Sequence, residues 1–125
     1  MNLVDSCGWL EYFADGTNAS FFAKPLEDPA TLVVPTICIL EVFRRVMQQR
    51  GLHEALQAVT AMQEGLVAEL DVATALNAAR IGAKLKLPLA DSVILATART
   101  HDAVLWTQDA DFADIKGVRY RPHDK

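Results

Sequence analysis

The chain has 125 residues, 51% of them apolar and 22% charged, with a formal net charge of −4. This length allows one domain over residues 1–125 with a single well-buried core, and the apolar share excludes a disordered chain. No uncharged apolar run reaches the ~18 residues of a membrane span, and the acidic balance argues against a broad basic surface for nucleic acid, though not against a local one.

The opening Met1-Asn2-Leu3-Val4-Asp5 carries no basic n-region, so no secretory signal is expected and a cytoplasmic location is. Asn2 to Val4 reads as a short first strand. Asp5-Ser6 then caps a helix from Cys7 to about Phe13, because both side chains accept orphan backbone N–H groups. Capping alone accounts for Asp5 as well as a functional role does at this point. Asp15 to Asn18 is a turn, Thr17 to Glu27 a weaker helix carrying Phe21, Phe22 and Leu26, and Asp28-Pro29 its break. Thr31 to Val34 is a second buried strand, closed by Pro35.

Thr36 starts a long helix through Met47 that Gly51 stops. Within it Glu41 is the lone charge between Thr36 and Phe43. Burying an isolated carboxylate costs several kcal/mol unless something pairs with it. Either Glu41 lies exposed on an otherwise covered helix, or it points into a site, and the apolar surroundings favour the site. Leu52 to Glu64 is amphipathic, with Leu52, Ala55, Leu56, Val59 and Met62 on one stripe. After Gly65 comes a brief strand, Leu66 to Leu70. Asp71 caps a helix in which Val72, Ala75, Leu76, Ala79, Ala83 and Leu87 hold helical spacing. Its other face carries Arg80 and Lys84, either as a solvated face or as phosphate contacts.

Pro88 closes that segment, and Asp91 stands in the first turn of the apolar helix that follows. Ala103 to Trp106 is a buried strand, with Asp109 and Asp111 just beyond it. A helix of about 11 residues spans roughly 16 Å, so a strand running back beside it brings Asp109 near Asp91. A last strand, Val118 to Tyr120, precedes a polar tail. Cys7 and Cys38 read as small buried hydrophobes in a reducing compartment, and His53, His101 and His123 lack metal-ligand spacing.

Alternating helices and strands imply a mainly parallel sheet, whose sites lie beyond the carboxyl ends of its strands. Asp5, Asp91 and Asp109 all fall there, and Glu41 joins them as the unexplained acid. Such acids repel one another unless a cation intervenes. Oxygen donors without nearby His or Cys favour Mg²⁺ or Mn²⁺ over zinc, and Mg²⁺ sites commonly serve phosphoryl chemistry.

These residues carry a family resemblance over nearly the whole chain. Leu3-Val4-Asp5-Ser6, Pro35-Thr36 with Leu40-Glu41-Val42, Leu89 to Ala96, and Leu105-Trp106-Thr107-Gln108-Asp109-Ala110-Asp111-Phe112 resemble the PIN-domain ribonucleases, and among them the VapC-like toxins of toxin–antitoxin pairs. The resemblance implies a three-layer α/β/α fold, a homodimer, Mg²⁺- or Mn²⁺-dependent endonuclease activity on RNA, and a cognate antitoxin. It places the acidic quartet on Asp5, Glu41, Asp91 and Asp109, as metal ligands and catalytic groups, with Thr107 and Ser6 in support. Asp111 either binds a second metal or caps the turn anchored by Phe112, and capping is favoured. Arg44, Arg45, Arg80, Lys84 and Arg99 are the candidate RNA contacts.

Three rival readings stand beside this one. A catalytically silent PIN-fold module would bind protein or RNA without cutting, but would have no need of so many mutually repelling acids. A phosphatase with Asp5 as nucleophile needs an acid or base close behind, and Ser6-Cys7-Gly8-Trp9 offers neither. A sugar transferase built on Asp109-Ala110-Asp111 needs a donor-nucleotide domain for which there is little room.

Overall fold

The strand segments are short and mostly apolar, and the three central ones are largely buried, as strands covered on both faces must be. In the computed structural model, which describes residues 1–123, they form β1 (Asn2–Val4), β2 (Leu32–Pro35), β3 (Leu66–Ala68), β4 (Val104–Thr107) and β5 (Val118–Tyr120). All pair in parallel in the order β3-β2-β1-β4-β5. The register places Val4 opposite Trp106, so β1 and β4 end side by side. There the chain departs to opposite flanks of the sheet, which opens a crevice.

The helices are α1 (Ser6–Phe13), α2 (Ala19–Leu26), α3 (Thr36–Arg50), α4 (Leu52–Met62), α5 (Val72–Leu85) and α6 (Leu89–Thr100). Helix α6 lies against β2 and β4 with α5 packed along it, α2 lies against β1, and α3 holds α4. The result is the expected three-layer α/β/α arrangement. Leu3, Val33, Val34, Leu105, Ile94, Phe22 and Phe112 are wholly buried in its core. Among the described residues no helix is long and apolar enough to cross a membrane. The polar tail ends in Asp124 and Lys125, which lie outside the described residues.

Several boundaries move. Helix α2 starts at Ala19 rather than Thr17, because Thr17 and Asn18 are held by Glu11 instead. Helix α3 runs on to Arg50, where Gly51 supplies the positive φ (93°) that ends it. Strand β3 stops at Ala68, and β4 is shifted by one residue so that Thr107 ends it.

Two apolar stripes are also reassigned. On α4 the buried residues are Ala55, Ala58 and Met62, while Leu52 and Leu56 are exposed. On α5 they are Thr74 and Ala78, whereas Val72 is 76% and Leu76 64% exposed. Small side chains do the packing because the helices approach closely. A Cβ at Gly82 of α5 would collide with the Ser92 hydroxyl of α6.

Candidate metal centre

Asp5 is the first residue past β1, and its backbone N–H donates to the Trp106 carbonyl (3.0 Å), continuing the ladder with β4. As the N-cap of α1, its Oδ1 accepts from the Ser6 N–H at 2.8 Å. Its Oδ2 accepts from the Thr107 hydroxyl at 2.7 Å and faces the Cys7 thiol at 3.4 Å. Asp5 is 4% exposed. Burial pushes its carboxyl above the usual range, while the Thr107, Cys7 and Ser6 bonds pull the other way. The geometry gives Asp5 both roles, cap of α1 and wall of the site.

Thr107 is fully buried at the end of β4. Its hydroxyl donates to Asp5 and accepts the Asp109 N–H at 2.9 Å, so one side chain fastens both strand ends. Asp109 in turn accepts the Asp111 N–H at 2.9 Å and caps the 3-10 turn Ala110–Phe112, which the wholly buried Phe112 anchors. The cap of this turn is therefore Asp109, which corrects the capping role favoured for Asp111. That turn carries the Asp111 carboxylate to Asp109 and Asp91, where one oxygen from each lies within 4.8 Å of the others.

Asp91 reaches this point from the first turn of α6. Burial, followed by the charges of Asp109 and Asp5, raises its pKa to about 7. The group is thus a crowded set of oxygen donors whose repulsion is unrelieved, and a divalent cation fits that chemistry. Glu41 stands on α3, where it accepts from the Ser6 hydroxyl at 2.7 Å. Asp5, Glu41, Asp91 and Asp109 line one cavity of about 540 Å³, together with Arg44 and Arg45.

Arg80, Lys84 and Arg99 do not line this cavity. The first two lie on the exposed side of α5. Arg99 is in the last turn of α6, roughly 12 Å along the helix from Asp91. That distance along α6 separates Arg99 from the acids.

Several residues at the site carry no signal used above. Cys7 is half-buried in the cavity wall, and burial together with Asp5 pushes its thiol up to about 12, so it faces Asp5 protonated. Glu11 is the lone charge in α1, and the reasoning applied to Glu41 applies equally to it. It is buried, accepts the Asn18 N–H at 2.9 Å, and has His123 at 3.4 Å. Asn18 and Gln108 meet at 3.0 Å across a separation of 90 residues, which no local pattern announces.

The family model for the PIN domain matches residues 3–118. No curated protein matches the chain. Among solved structures, it is similar to a toxin–antitoxin complex from Klebsiella pneumoniae, with 23% identity and a TM-score of 0.80 over 95% of this chain and 96% of that one. DNA-bound VapBC from Salmonella typhimurium aligns at 16% identity and a TM-score of 0.74 over 98% of each chain. The toxin VapC20 of Mycobacterium tuberculosis, described as cleaving the sarcin–ricin loop, aligns at 13% identity and 0.77, covering 93% and 95%. At these identities the likeness is one of fold.

Proposed function

The chain belongs to the PIN domain family, and from that premise we propose that it is the toxin of a toxin–antitoxin pair, acting as a Mg²⁺- or Mn²⁺-dependent endoribonuclease. One observation carries the reading. Acids from the ends of two strands, the first turn of α6 and the middle of α3 converge on one cavity, and among the described residues no lysine or arginine forms an ion pair with them.

Asp91, Asp109 and Asp111 would hold the metal, with Asp5 beside them. Such an ion supplies Lewis-acid polarisation of a phosphate and activation of a water. Thr107 keeps Asp5 and Asp109 in place, and Ser6 fixes the Glu41 carboxylate through Oε1. The Oε2 atom of Glu41 is then the acceptor that orients a water and receives its proton. Arg44 and Arg45, on the rim of the same cavity, contact phosphates flanking the one that is cut. Asp5 is too enclosed to act as a nucleophile, which disfavours the phosphatase reading.

The antitoxin partner is carried over from the complexes whose fold this chain shares, and a homodimer is supported by the exposed apolar side of α5. The test is incubation of total cellular RNA with purified, partner-free protein in Mg²⁺, Mn²⁺ or EDTA, beside Asp91→Asn. Discrete fragments that need metal and vanish in the variant are expected. Cleavage that persists in EDTA or in Asp91→Asn would refute the reading.

A further inference from the structure

A second cleft, of about 680 Å³, adjoins the acidic cavity, and Cys7, Leu10 and Arg45 line both. Its floor is apolar, from Leu10, Phe13, Val46 and Ala58, and its rim carries amides, Gln108 among them. An apolar floor with a few fixed polar groups is the usual form of a small-ligand site.

Gln108 is the fixed group. Its neighbours Thr107 and Asp109 are tied to each other, and the Thr107 carbonyl accepts the Arg121 N–H at 3.0 Å. Its side chain is held by Asn18, which is 6% exposed. The Asn18 amide nitrogen donates to the Pro122 carbonyl at 3.1 Å and to Gln108 Oε1 at 3.0 Å. A backbone carbonyl only accepts, so it fixes which end of the Asn18 amide faces it, and the second hydrogen of that nitrogen demands an oxygen from Gln108. The oxygen of Gln108 is thereby occupied. Its NH₂ end has no partner among the described residues, and the residue lines the cleft. The cleft is therefore offered a donor, one residue from Asp109.

Resting on the nuclease reading above, we propose that this cleft receives one unpaired nucleobase of the RNA strand whose phosphate lies at the carboxylates. Gln108 donates its side-chain N–H to an acceptor on the base edge, and Asn18 is the residue that positions it. A paired base cannot present itself in this way, so the substrate is single-stranded where it is cut. Every base edge carries an acceptor, so this single donor fixes the base in the cleft without choosing among the four, and its loss weakens the binding of all of them.

The experiment measures binding of adenine, cytosine, guanine and uracil hexaribonucleotides to the full chain in the Asp91→Asn background, so that the RNA stays intact. The same series is run with Gln108→Glu, which keeps the bond to Asn18 but replaces the donor with a charge. The expected result is that the affinity for each hexamer falls about tenfold in Gln108→Glu, the loss of one donor bond turned into repulsion. A shift of the Gln108 side-chain NH₂ resonance on adding a nucleoside monophosphate should accompany it. Hexamer affinities unchanged in Gln108→Glu, an unmoved Gln108 NH₂ resonance, or no binding at all would each overturn the proposal. Retained, Gln108-dependent binding by a protein that cuts no RNA would uphold it while removing the nuclease reading.

Discussion

Asp91 shows how one residue carries the energetic cost of the whole site. Its carboxyl has an ordinary value near 3.8 in an unfolded chain and about 7 in the fold, because of burial first and then Asp109 and Asp5. The folded protein therefore holds a proton that the unfolded chain has lost between those values. Metal-free protein gains stability as pH falls from about 7 towards about 4, and bears the full penalty above 7. Asp5, raised by burial, acts in the same direction. Thermal melts in EDTA should show the midpoint rising on acidification over this window. Asp91→Asn should raise the midpoint at pH 8 by several degrees and flatten the slope. A variant that melts lower than the parent at pH 8 would contradict this account. Protons also compete with the cation, so Mg²⁺ affinity should fall below pH 7.

At the scale of the element, α1 does two jobs that constrain each other. Its cap is Asp5, so its position sets the site, and its inner face must sit close on β1 and α2. Gly8 permits that approach. A Cβ there would lie 2.6 Å from both Val4 and the Phe22 ring. Both neighbours are wholly buried and have no room to retreat. Gly8→Ala should cost roughly 1–3 kcal/mol by overpacking, read as a lower denaturant midpoint at unchanged slope, despite the better helix propensity of Ala. A neutral or stabilising result would mean that α1 can slide outward, and cleavage should then be tested for the displacement of Asp5.

The molecule as a whole leaves an apolar flank uncovered. Leu66, Leu70, Val72 and Leu76 follow one another from β3 into α5, and all are at least 47% exposed. An apolar patch of this kind marks an association surface, which is why the proposed homodimer is placed on α5. Leu76→Glu should convert a dimer to a monomer in sedimentation equilibrium without lowering the melting midpoint of the monomer unit. A parent that is monomeric at tens of micromolar, or a variant that stays dimeric, would place any dimer contact elsewhere.

By itself the sequence determined what short-range chemistry controls. Continuous apolar runs marked the strands, Pro35, Gly51 and Gly65 marked the breaks, and acids at element ends marked the corner of the sheet where a site opens. Each of these signals lies within a few residues of the feature it specifies. The tertiary structure alone decided which side of α5 is buried, since packing against α6 is governed by the closeness that Gly82 and Ala78 allow and not by the larger hydrophobic stripe. It alone brought Asp111 to Asp91, because the direction of that carboxylate depends on a turn capped by Asp109. The Asn18 amide likewise joins Gln108 and Pro122 across 90 and 104 residues. Contacts at such separation leave no periodicity in the chain, because only the parallel pairing of β1, β4 and β5 makes those segments neighbours.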